Sequence, residues 1–388
     1  MRANLAFSLG AVTFSGNSER CLESLYSETD RSTFPWVVSS SCFCALKFVR
    51  LGNPLEISRR AKMGDRRSIR GLVGIGGGAL PSPVKGSSPC DLVLQGHQGI
   101  VYSCCTLADG RIVSSSGDKH LRIWSVSNGK TASCDVELRG HIGPVFAVTT
   151  MSNGRIVSGS YDGTLRVWTI EQNVESCVTV MRVDGEPAAL RVLCCATLPD
   201  DRIVAGYSDN FLRMWSITSN SGVCEAVLTG HSSGVRAVAI LQDGRIVSGS
   251  YDASVKIWKV NGNNAKCVQT CQGHTKDVNG VAVLQDGRIL SGSSDKNLRI
   301  WNPDTGHCDM ILTGHAHAVR AVATLPDGRI ASGSAFGKLR VWSITGKSQY
   351  ELILTLQGHS DSVRGIAGLA DGRIVTTSED CSVRVTCM

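Results

Sequence analysis

Long apolar stretches are missing from this sequence, and so is any sustained 3.6-residue apolar period. No window approaches the 18 or so apolar residues needed to cross a bilayer, and helices are not expected. Also lacking are the spacings that carry chemistry. No Cys-x-x-Cys and no spaced Cys/His cluster appears, and no Gly-x-Ser-x-Gly elbow, His-Glu-x-x-His or carboxylate pair stands out. The run Gly74-Ile75-Gly76-Gly77-Gly78 has no Lys-Ser/Thr behind it, so it is no phosphate loop. Neither a catalytic centre, a metal nor any other cofactor is expected. A strongly basic surface is lacking too. The net charge of +7 sits almost wholly in residues 1–89, where 12 Lys and Arg face 6 Asp and Glu; the rest holds 28 against 27. Nucleic acid is therefore not an expected partner of the larger region.

What is present is one sentence written seven times. Its clearest copy runs from Gly230-His231 through Asp243-Gly244 and Asp252 to Trp258. Histidines open copies at His97, His141, His231, His274, His315 and His359. Twenty-one residues later stand Asp118, Asp162, Asp252, Asp295, Phe336 and Asp380. Six further on come Trp124, Trp168, Trp258, Trp301, Trp342 and Thr386. A degenerate copy between the second and third of these keeps Asp209 and Trp215 but has Ala188 in the histidine slot. In the clearest copy, Val235–Leu241, Arg245–Ser250, Ser254–Val260 and Ala265–Gln272 read as four strands, the first two joined by a two-residue Asp-Gly connection. Seven such units at a period of about 40–45 residues predict an all-β propeller, one four-stranded sheet per copy.

On these residues, residues 90–388 resemble the WD40-repeat β-propeller family. The resemblance implies a hydrogen-bonded tetrad of histidine, second-strand Ser or Thr, aspartate and tryptophan, with Ser158 and Ser248 as typical hydroxyl members. Buried imidazoles and indoles need partners, so these conspicuous residues are expected to be scaffold. The last copy stops after its third strand. Cys90–Gln95 stands in fourth-strand register with no sheet before it, and is expected to pair with the final blade and close the ring. Residues 1–89 form a basic, irregular arm ending in a Gly/Pro/Ser linker. Reduced thiols at repeat-equivalent sites point to the cytoplasm; the nucleus and an organellar route through the arm are the alternatives.

Function is sought where the copies differ. Five residues after each histidine slot the chain has Tyr102, Phe146, Leu193, Arg236, Asn279, Arg320 and Arg364. Just before the aspartate slot it has Tyr161 and Tyr251 among small or polar residues. The family resemblance places both positions on one rim. WD40 proteins resembling F-box substrate receptors use arginines there to read phosphorylated peptides. The expected function is a non-catalytic scaffold, a monomeric propeller within complexes, that binds acidic or phosphorylated partner segments through Tyr102, Phe146, Tyr161, Arg236, Tyr251, Asn279, Arg320 and Arg364. The alternatives are solvated arginines at a water-filled mouth, or a constitutive structural subunit of a larger complex. A second set, Arg111, Arg155, Arg202, Arg245, Arg288, Arg329 and Arg373, follows every first turn and reads as repeated turn chemistry on the opposite rim.

Overall fold

The computed structural model describes residues 92–127, 131–171, 174–183, 190–218, 221–262, 264–346 and 348–387; the expectations for the arm, Cys90, Asp91 and Ala188 lie outside them. Every described element is a strand, and the strands form seven antiparallel four-stranded sheets. Blade one spans residues 101–138, blade two 145–182, blade three 192–228, blade four 235–271, blade five 278–312 and blade six 319–357. Blade seven spans 363–386 and takes its outermost strand from Leu92–Leu94, which pairs antiparallel with Val383–Val385. Innermost strands touch their sequence neighbours, and Val363–Gly368 also touches Val101–Thr106, so the ring is closed.

In blade four the strands are Val235–Ile240, Ile246–Ser250, Val255–Asn261 and Asn264–Cys271. The first turn is longer than two residues. Leu241 and Arg245 pair across Gln242-Asp243-Gly244, the Leu241 N–H donating to the Arg245 carbonyl at 2.8 Å and the Gly244 N–H to the Leu241 carbonyl at 2.9 Å. Gly244, at φ +82°, ends the loop in the left-handed region that a side chain would disfavour.

The core lies between blades rather than within them. Val113, Leu121 and Ile123 of blade one pack with Val145, Val148, Ile156 and Trp168 of blade two. Comparable clusters occupy the other joints, including blade seven against blade one, where Leu94, Val383 and Val385 meet Val101, Ile112 and Trp124. A single blade has two apolar faces and buries them only by stacking. The second-strand glycines make this approach possible. An added Cβ on Gly159, Gly206, Gly249, Gly292 or Gly333 would come within 2.5–2.8 Å of a γ carbon of Val192, Val235, Val278, Val319 or Val363 on the next blade. Blades one and seven carry Ser115 and Thr377 in that slot.

Candidate functional site: the central mouth and its scaffold

In blades one, two, four, five and seven the histidine Nδ1 lies 2.7–2.9 Å from the aspartate Oδ2. Their Nε2 atoms lie 2.8 Å or so from Ser114, Ser158, Ser248, Ser291 and Thr376. In the first four of these blades that serine also accepts the tryptophan Nε1–H at 2.7–2.8 Å. The arrangement fixes the tautomer as Nδ1–H toward the carboxylate, with the hydroxyl donating to Nε2. Burial alone would raise the carboxyl pKa of Asp118, Asp162, Asp252 and Asp380. The hydrogen bond from the histidine, backed by backbone N–H groups, outweighs it and holds each well below the usual carboxylate range. Asp295 is held at about 2 by the same balance. In these five blades the histidine nitrogens and the carboxylate are engaged with one another and with their neighbours.

Three blades depart from the pattern. In blade three Ala205 holds the serine slot, so the Trp215 Nε1–H donates instead to the Tyr207 hydroxyl at 3.1 Å. Asp209 meets no histidine and pairs with Arg213 at 2.7 Å, whose guanidinium lies 4.7 Å from the Tyr207 ring centroid. Asp209 and Trp215 therefore serve different partners, not a shared tetrad. In blade six His315 and Trp342 share Ser332 at 2.7 and 2.8 Å, but Phe336 supplies no carboxylate and is 62% exposed. In blade seven Thr386 is buried where an indole would stand. The basic residues two before the tryptophans pack against their own blades. Arg166 and Arg340 lay their guanidinium groups 5.9 and 5.8 Å from the Trp168 and Trp342 centroids, and the Lys256 Nζ donates to Thr270.

The variable positions have a backbone cause. Every first strand shifts register at one residue, and those residues are Tyr102, Phe146, Leu193, Arg236, Asn279, Arg320 and Arg364. A bulge inserts one residue with no opposite partner and re-aims its side chain. All seven line one cavity of about 160 Å³ at the centre of the ring. Tyr102 meets Phe146 edge-to-face at 4.6 Å, and Tyr161 backs Phe146 at 6.1 Å without reaching the cavity. Arg191, which the repeat spacing did not single out, stacks on Tyr161 at 4.0 Å. Tyr251 stands outside the cavity, 41% exposed.

The three guanidinium groups are not equivalent. Arg364 is already ion-paired with Glu379, its Nε donating at 2.5 Å. Arg236 donates only to the Leu193 carbonyl at 3.3 Å, and Arg320 to the Asn279 side-chain oxygen at 3.5 Å. Among the described residues neither has an acidic partner. Burial, reinforced by the positive charge of Arg364, lowers the Arg320 pKa from its ordinary value. Asn279 is itself held by bonds to Ser294 and the Val319 carbonyl. On the Tyr102 side, burial raises the phenol pKa against the pull of Arg364.

At the other end of the same strands the repeated arginines are neutralised locally. In six blades the Asp two residues earlier accepts the Arg Nε–H at 2.6–2.8 Å. Arg245 continues across the joint to Asp304 at 2.9 Å. That rim is a ring of turn locks, not a bare cationic surface. Among the described residues no cluster of His, Cys, Asp or Glu could hold a metal, and no helix is long and apolar enough to cross a membrane.

No curated protein matches the sequence. Among solved structures, the chain is similar to the crystal structure of the WD40 beta propeller domain of Doa1, with a TM-score of 0.64 at 22% identity over 76% of this chain and 94% of that one. The family model for the WD domain, G-beta repeat, matches seven times, at residues 88–125, 132–169, 176–216, 222–259, 265–302, 306–343 and 350–386. Propellers of this kind are typical protein-interaction scaffolds and generally non-catalytic, and the chain belongs to the WD40 repeat family.

Proposed function

We propose that the chain is an interaction scaffold that takes an acidic or phosphorylated segment of a partner protein into the central mouth. The observation that carries this is the pair Arg236 and Arg320, two guanidinium groups without acidic partners aimed into one cavity, opposite an aromatic wall of Tyr102 and Phe146. A phosphate or carboxylate offers the bidentate acceptor such groups lack. Arginine without a counter-charge in a half-buried setting is costly unless a ligand repays it. The test is titration of phosphorylated against unphosphorylated peptide libraries. Preference for the phosphorylated form, lost in Arg236→Ala with Arg320→Ala, supports the reading; equal binding of both forms removes it.

A second reading, a constitutive subunit of a larger assembly, draws support from the outer strands. Val174, Val180, Val223 and Val227 on blades two and three, with Leu352 and Ile353 on blade six, are 40–68% exposed. Size exclusion of native extract separates the two: a constant large particle favours the subunit, a mostly free population the reader.

A further inference from the structure

In five blades one carboxylate gathers three donors. It takes the histidine Nδ1–H, the backbone N–H of the next residue at 3.0–3.2 Å, and the N–H two residues past the aspartate at 2.9–3.1 Å. Blade six keeps the histidine and loses the acid. His315 is 6% exposed, and among the described residues its Nδ1 has no hydrogen-bond partner. A buried imidazole nitrogen left unpaired costs roughly what a lost hydrogen bond costs, and five sibling blades avoid it.

The place that the acid takes in the sibling blades is shallow. In the intact blades the carboxylates keep 2–11% of their side-chain surface in water, so they lie just beneath the rim. Phe336 does not plug the place from above. Its ring is turned out to solvent and rests against His317 at 4.4 Å, and Phe336 adds a positive φ of +67° to the positive φ that the following residue has in every blade. A bulky residue in the left-handed region is strained, and such strain marks places where backbone geometry serves something other than stability.

The local charge is of one sign. The groups that bear on His315 are Arg340 and Lys338, and no described carboxylate pairs with it. Burial first, then these two cations, pushes the imidazole pKa down to about 3, so the ring is neutral at neutral pH. With Ser332 donating to Nε2 as in the sibling blades, Nδ1 carries the proton. The cations that disfavour an imidazolium favour an incoming anion.

We infer that blade six carries a carboxylate-receiving notch, in which an aspartate or glutamate side chain of a partner protein takes the place that the chain's own acid fills elsewhere. Partner protein is preferred over a free small acid because the exposed Phe336 ring beside the notch offers apolar contact that only a larger ligand covers. The site is separate from the central mouth and stands without it.

The experiment uses the full chain with ¹⁵N-labelled histidine at neutral pH. Acetate is titrated against chloride at matched ionic strength, followed by the blocked peptide Gly-Gly-Asp-Gly-Gly and its Asn counterpart. A saturable shift of the His315 Nδ1 resonance and a rise in Tm are expected with acetate and the Asp peptide, and neither with the Asn peptide. Phe336→Asp fills the notch from within and should abolish both responses, whereas Phe336→Ala should retain them. An unmoved His315 in the wild-type chain, or an equal response in Phe336→Asp, overturns the notch. A response to acetate alone overturns the assignment to a partner's side chain. The wild-type resonance decides the matter even if a variant does not fold.

Discussion

Removing residues 1–96 takes away the strand that completes blade seven, and its energetic weight can be worked out from the contacts. Three residues, Leu92–Leu94, pair with Val383–Val385. Their ladder hydrogen bonds contribute about 1 kcal/mol each, and ordering three residues costs about 1–2 kcal/mol each, so the backbone terms roughly cancel. What remains is side-chain burial. Leu94 is 3% exposed against Trp124 and Val385, with Leu92 partly buried beside it. Burial of Leu is worth roughly 1.5–3 kcal/mol, and the cavity left behind adds to the loss. The net is about 3–5 kcal/mol out of a total stability of order 5–15 kcal/mol. Loss on that scale should lower Tm by about 5–8 °C for a propeller of roughly 300 residues and leave the Val383–Thr386 strand as an unpaired edge open to other chains. The comparison is with removal of residues 1–85, which leaves these contacts intact. Thermal melting and size exclusion decide: aggregation or a large Tm drop is expected for the longer deletion only. If the two proteins stay monomeric and melt within about 2 °C of each other, the closure reasoning is wrong.

Other outcomes follow from the scaffold. Because the tetrad aspartates have folded-state pKa values below the unfolded value of about 3.9, their contribution is present above that value and lost as pH falls below 4; urea midpoints should drop between pH 6 and pH 3, less steeply in Asp295→Asn. Tyr207→Phe should cost about 1–3 kcal/mol by stranding the Trp215 N–H, and adding Ala205→Ser should recover part of it in equilibrium denaturation. Arg320→Met should leave stability unchanged or raise it, since the Arg320 Nε is buried without a partner; a marked loss in Tm would count against its reading as a binding group.

Much of the fold was legible because strand period, turn glycines and the His-to-Asp-to-Trp spacing recur with little noise. The leading strand could be read from its register alone. Substitutions of partner were harder. The second-strand triplet Ser-Gly-Ser becomes Ala205-Gly206-Tyr207 in blade three, and the shift of the hydroxyl by two residues keeps it on the same face of the strand, a signal present in the text but invisible without geometry. Glu379 was visible as one more variable residue before the aspartate slot, yet its pairing with Arg364 depends on how the bulge aims that side chain. Arg191 lies outside both repeated positions and meets Tyr161, behind the cavity wall, only through the folded loop. The turn arginines, by contrast, had their Asp two residues upstream in plain view.

The valine seated over a second-strand glycine has a bearing on how the circle is counted. At five joints the gap between neighbours is metered by one absent methyl, and the same plug fits the same socket each time. Such a contact cannot tell one neighbour from another, so at those joints order comes from the peptide linkage and not from a code in the interface. The larger Ser115 and Thr377 occur only in the two sheets adjoining the seam, and they mark where the circle begins.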